Sequence, residues 1–181
     1  MKQKNLSNHE SNFILAFILF ATLFAVNAAP LALEKRETQF QTCAGLPPDV
    51  VGLDIKMTPD PVVPNTEETF DIKGTMKKDI VAGDWLGIEF IDDDTEIPLE
   101  DILFVDICTL PGVTCPIKAG TAFSTTQKYT APKEFPKSYA IVIAIGRGKA
   151  PVAEPIACST VSIVGSGPSA VSADLDVWNF L

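Results

Sequence analysis

Four cysteines behind an apolar leader constrain this chain more than any other feature. Lys2 and Lys4 begin it, and Phe13 to Val26 follows as an apolar run of 14 residues. Small residues at Ala28 and Ala29 then precede Pro30. A basic start, an apolar middle and a small-residue end are the three parts of a secretory signal. Spanning a bilayer takes about 20 apolar residues, so the run reads as a signal rather than an anchor. Cleavage is expected after Ala28, giving a signal peptide over residues 1–28. Residues 29–36 read either as a propeptide closed by the dibasic pair Lys35-Arg36, which resembles a Kex-type processing site, or as an exposed charged linker. The product is expected outside the cell or in the lumen of the secretory or vacuolar pathway. There the even set Cys43, Cys108, Cys115 and Cys158 reads as disulfides, with three connectivities open in principle. The expected pairs are Cys108–Cys115 and Cys43–Cys158. The first closes a short loop whose Pro111 and Gly112 form a turn, and the second ties the start of the domain to its last strand. A four-cysteine zinc site would show close Cys-x-x-Cys pairs, which this chain lacks.

Removing residues 1–36 leaves 145 residues with 10 basic and 21 acidic side chains. This is enough chain for one core, and the charge is the wrong sign for neutralising phosphates, so nucleic acid is not an expected partner. The only histidine, His9, leaves with the signal. The mature chain therefore has no Ser-His-Asp or Cys-His machinery and no imidazole for zinc. No enzyme activity, metal or cofactor is expected.

The remaining chain reads as short strands between Pro and Gly turns. Val51, Leu53, Ile55 and Met57 alternate with polar residues, and Pro59, Pro61 and Pro64 end that strand. Phe70 and Ile72 mark a second strand, closed by Gly74. Further strands are expected over Trp85 to Ile91, Ile102 to Cys108, Phe123 to Tyr129, Tyr139 to Ile145 and Ile156 to Val164. About seven short strands without helical periodicity predict an all-β sandwich of the immunoglobulin-like kind. From Gly165 onward the chain reads as a tail, residues 165–181, carrying Trp178, Phe180 and Leu181.

Two polar features invite chemistry. Asp92-Asp93-Asp94-Thr95-Glu96 lacks the glycine and closing glutamate of a calcium loop, so a solvated turn is the expectation. Gly146-Arg147-Gly148-Lys149 is the one tight basic spot; a lipid phosphate or an ordinary strand-end turn would account for it equally.

Several segments together resemble a known family. These are Gln41-Thr-Cys43, Ile55-Lys-Met-Thr-Pro59-Asp-Pro61, Phe70-Asp-Ile-Lys-Gly74, and Val105-Asp-Ile-Cys108 followed by Cys115-Pro-Ile-Lys-Ala-Gly120. Their order is similar to that of the ML-type lipid-recognition domain, over residues 37–164. That family includes the fungal phosphatidylglycerol/phosphatidylinositol transfer proteins and the Niemann–Pick type C secreted sterol carrier. Unlike many relatives, this chain has no cysteines for a third short-range disulfide. The resemblance implies an immunoglobulin-like sandwich with a lipid cavity between its sheets, and the same disulfide pairing. It also implies a non-enzymatic carrier, expected as a monomer, that touches membranes transiently while exchanging one phospholipid or sterol. By position the cavity candidates are Phe70, Ile72, Leu86, Ile88, Phe90, Phe104, Phe123, Tyr139, Ile141, Ile143 and Val161, with Pro116 and Ile117 near the mouth. The alternative is an extracellular interaction protein or effector whose sandwich is filled and holds no lipid.

Overall fold

The computed structural model describes residues 37–149, 153–165 and 167–168. The segments expected as a signal (residues 1–28) and a propeptide (29–36), and nearly all of the expected tail, lie outside the described residues. Among the described residues nine strands run in chain order: β1 (Gln41–Thr42), β2 (Asp54–Thr58), β3 (Glu67–Thr75), β4 (Trp85–Asp92), β5 (Leu103–Asp106), β6 (Ala122–Thr130), β7 (Ser138–Arg147), β8 (Glu154–Val164) and β9 (Gly167–Pro168). They form two antiparallel sheets. The larger has the order β1-β8-β7-β4-β5, with β9 paired to β8, and the smaller has the order β2-β3-β6. The all-β sandwich is as the alternation predicts. The strand expected over Ile102 to Cys108 is shorter. It stops at Asp106, whose carboxylate accepts from the Cys108 N–H and opens a 3-10 turn over Ile107–Thr109.

Alternation explains the packing of β3. Phe70 and Ile72 face inward and are fully buried, while Lys73 and Thr75 are exposed. β4 and β7 are buried on both faces because each sits between two strands and both sides of their sheet are covered. Leu86, Ile88 and Phe90 of β4 join Tyr139, Ile141, Ile143 and Ile145 of β7 in the core between the sheets. The opposite face of the same strands presents Ile91, Val142 and Ala144 to Cys43 and Val50 from the segment after β1. The two disulfides are Cys43–Cys158 and Cys108–Cys115, as expected. The peptide bonds before Pro59, Pro61 and Pro116 are cis.

One side of the sandwich is zipped. Val51, just ahead of β2, bridges Ala157 of β8, with the Cys158 N–H donating to the Val51 carbonyl at 3.0 Å. The Ser159 hydroxyl accepts from the Leu53 N–H at 2.7 Å and donates to the Leu53 carbonyl at 3.1 Å. On the other side β5 and β6 edge different sheets and share no ladder. Among the described strands the chain crosses between the sheets four times, and the crossing from β5 to β6 carries the Cys108–Cys115 loop.

Candidate functional site

Along the seam between β5 and β6 several inward-facing positions are only half-buried. Inward-pointing positions on β6 are Phe123, Thr125, Gln127 and Tyr129. The first two are buried and the last two only half-buried. Across the seam, Leu103 and Val105 of β5 are half-buried and pack on the same core, as do Leu99 and Phe135 from the flanking loops. The half of the seam beside Phe123 and Thr125 is closed by the disulfide loop. The Thr125 hydroxyl donates to the Pro111 carbonyl at 2.9 Å, pinning that loop against β6. The half beside Gln127 and Tyr129 has no such cover from that loop. It is framed by Leu103 and Val105 on one edge and Tyr129 on the other, with the Tyr129 hydroxyl donating to the Asp101 carbonyl at 3.2 Å.

Behind this opening lies an aromatic group. Phe90 stacks on Tyr129 with centroids 5.4 Å apart, and Phe135 stacks on Tyr139 at 4.3 Å. Phe90 also lies 5.9 Å from Phe135. Such stacked and tilted pairs contribute about 0.5–1.5 kcal/mol each beyond their burial. They give the opening a flat, apolar and rigid inner wall. Burial pushes the Tyr139 phenol up to about 12, with a further push from Glu68.

Glu68 was not among the residues singled out from sequence. It stands two positions before Phe70 on β3, so it faces the same interior, cross-strand from Tyr129, and it is fully buried. One carboxyl oxygen accepts from the Val63 N–H at 3.1 Å, and the other has no partner. Burial raises its titration above the ordinary carboxylate range. The Val63 N–H opposes that shift, and Asp60 adds slightly to it. The signal for it was present in the period-two spacing Glu68, Phe70, Ile72. Glu89 is a second buried carboxyl. It sits on β4 between inward-facing Ile88 and Phe90, so it points away from the interior, and burial pushes it up to about 7.

Most of the residues expected to line a cavity do come together. Phe70, Ile72, Leu86, Ile88, Phe90, Ile117, Phe123, Tyr139, Ile141, Ile143 and Val161 form one buried cluster between the sheets. Pro116 is exposed, and with Ile117 and Phe123 it lines an open cleft of about 860 Å³ at the far end of the small sheet, beside Lys73 and Lys118. Ile117 is held there by reciprocal 2.9 Å backbone bonds to Ile80. Phe104 is the exception. It pairs with Gly87 on the outer side of the larger sheet, is 48% exposed, and meets Trp85 edge-to-face at 5.2 Å. Its neighbours in sequence, Leu103 and Val105, take the inward places, because a strand turns successive side chains to opposite faces.

The polar features resolve as structure. Asp92 accepts from the N–H groups of Asp94 and Thr95 at 2.9 Å each, closing a tight solvent-facing turn. Arg147, the arginine of the basic spot, is bound to buried Asp84 while its own side chain stays partly exposed. Gly146 beside it is required by close approach, since any Cβ there would run into the Trp85 ring.

A sequence model of the ML domain matches residues 37–164. No curated protein matches the sequence. Among solved structures, a Niemann-Pick type C2 protein from Japanese carpenter ant superimposes with a TM-score of 0.50 at 20% identity, covering 68% of this chain and 96% of that one. Chicken MD-1, in a structure complexed with lipid IVa, aligns with a TM-score of 0.43 at 12% identity, covering 69% of this chain and 87% of that one. The likeness to the carpenter-ant protein is one of fold.

Proposed function

The chain belongs to the ML-domain family, and from that membership we propose that it is a secreted, non-enzymatic carrier that holds a single lipid between its two sheets. The observation that carries this reading is the asymmetry of the sandwich. One side is zipped by backbone and Ser159 hydrogen bonds, while the other is a seam of half-buried apolar side chains leading to a core of Phe, Ile and Leu. A lipid tail enters by parting the β5 and β6 edges, which breaks no ladder bond but releases the Tyr129–Asp101 hydrogen bond that spans the seam. Each methylene moved from water into that interior contributes about 0.8 kcal/mol, so a chain of roughly a dozen methylenes supplies on the order of 10 kcal/mol toward loading. Transient contact of the seam with a membrane surface lets a phospholipid of the phosphatidylglycerol or phosphatidylinositol kind, or a sterol, pass in and out while the protein stays a soluble monomer.

Charging the seam tests the route. Val105→Asp and Leu103→Asp place a carboxylate on the apolar lip at half-buried positions. Each is expected to slow uptake of a fluorescent fatty-chain probe from vesicles by about tenfold or more, because the charge must be desolvated as the tail passes. Phe104→Asp, one residue away on the outer side, is the control and is expected to leave uptake unchanged. Equal slowing by Phe104→Asp, or none by the other two, contradicts the seam as the route.

A further inference from the structure

We propose that the free carboxyl oxygen of Glu68 is the polar recognition point of the interior, selecting a lipid with a hydroxyl group on an otherwise apolar body. This deepens the carrier reading and rests on it. A side chain at an inward strand position among Phe70, Ile72 and the aromatic group is ordinarily apolar. Glu68 is fully buried there, and only one of its two oxygens is used, by the Val63 N–H. Buried polar groups are overwhelmingly hydrogen-bonded, because leaving one unpaired forfeits its hydration without return. An unpaired oxygen on the inner face of a sandwich that loads a ligand is accounted for when the ligand brings the partner.

The local chemistry narrows what that ligand carries. The raised titration of Glu68 shows surroundings that resist negative charge, and the nearby Tyr129 and Tyr139 phenols are both raised by burial. A phosphate placed at this depth would face a carboxyl and two phenols with no described cation among the groups acting on Glu68. A hydroxyl fits without such conflict. It donates to an ionised carboxylate and accepts from a protonated one, so it satisfies the free oxygen in either state. The carboxyl also lies on the same end of the sandwich as the open half of the seam, beside Tyr129, so the hydroxyl-bearing end of a ligand need not traverse the whole core to reach it. A sterol and a long-chain alcohol share this chemistry.

The test uses the delipidated full-length secreted protein and displacement of a bound fluorescent fatty-chain probe. Two pairs of competitors are compared: cholestanol against cholestane, and hexadecanol against hexadecane. Without a polar partner inside, the hydrocarbon of each pair binds at least as well, since its transfer from water costs no hydroxyl hydration. The proposal expects the hydroxyl compound of at least one pair to bind about tenfold or more tighter. The sterol pair or the linear pair responding identifies which source supplies the group. Glu68→Met is expected to invert the preference, and Glu68→Gln, which still offers a hydrogen-bonding group, to retain it in part. Hydrocarbon and alcohol bound equally by the wild-type protein overturns the proposal while leaving the carrier reading intact. So does a hydroxyl preference that survives in Glu68→Met. Failure of the probe itself to bind overturns both. The wild-type comparison alone decides the matter if Glu68→Met does not fold.

Discussion

Replacing Cys43 and Cys158 together by alanine is expected to cost about 4–5 kcal/mol, roughly twice the loss from replacing Cys108 and Cys115. The two bonds close loops of very different length, with sequence separations of 115 and 7. Cross-linking removes loop-closure entropy from the unfolded chain and grows with the logarithm of loop length. A loop of about 100 residues gives roughly 4.7 kcal/mol, and one of about eight gives roughly 2.5 kcal/mol. The long staple also has a local role. It joins the segment after β1 to β8 and holds Cys43 and Val50 against Ile91, Val142 and Ala144 on the outer side of the larger sheet. The Cys43 N–H donates to the Cys158 carbonyl at 3.2 Å, so the crosslink and the backbone act at one point. A domain of this size has about 5–15 kcal/mol of stability in all, so loss of the long staple leaves it marginal. Urea unfolding of the two double variants reads the difference. Equal losses, or a larger one from the short loop, would contradict the account.

The second large effect is at Arg147. Asp84 is 1% exposed at its side chain and holds two partners. Its carboxylate accepts from the Val81 N–H at 2.9 Å and from the Arg147 guanidinium at 2.7 and 2.8 Å. The same guanidinium donates to the Asp79 carbonyl at 2.9 Å, so it ties the crossing between β3 and β4 to the end of β7. Removing one partner of such a pair leaves a buried charge without its counterion, at about 3–5 kcal/mol for a fully buried pair. Arg147 is partly exposed, so water replaces some of what is lost, and Arg147→Leu is expected to cost about 2–4 kcal/mol. Pairing it with Asp84→Asn removes the stranded charge and keeps an acceptor for Val81. The double variant is therefore expected to recover part of the loss, a non-additivity that only direct coupling produces. A single Arg147→Leu that loses less than about 1 kcal/mol in urea unfolding, or a double variant whose loss equals the sum of its parts, would show the pair to be an ordinary surface contact.

These features were legible in the sequence to different degrees. The Cys108–Cys115 pairing followed from loop length and the Pro111-Gly112 turn, because those are local, and it left Cys43 and Cys158 to pair across the domain. The strands around Phe70, Ile88 and Ile143 were legible because alternation and β-branched runs report burial directly. Phe104 was not. Four apolar residues in a row at Ile102, Leu103, Phe104 and Val105 give no parity, and the face is decided by the pairing of Phe104 with Gly87. The seam was illegible for the same reason. Nothing in the β5 or β6 sequence says that these strands edge opposite sheets, or that Val51 and Ser159 zip the far side. Arg147 looked like an available cation because its partner, Asp84, is 63 residues away in sequence. Glu68 was hidden by its setting in Glu67-Glu68-Thr69, which reads as a polar strand end until the spacing to Phe70 and Ile72 is followed back.

The most direct test of the central claim is native mass spectrometry of the protein purified from its producing cells without delipidation, followed by extraction and identification of whatever is bound. The account expects a complex of one lipid per chain, heavier than the disulfide-bonded polypeptide by the mass of a single lipid molecule, with that lipid recovered in the extract. A protein that appears only at the mass of its polypeptide, and stays so after incubation with phospholipid and sterol vesicles, would contradict it and leave a filled sandwich with an extracellular partner as the reading.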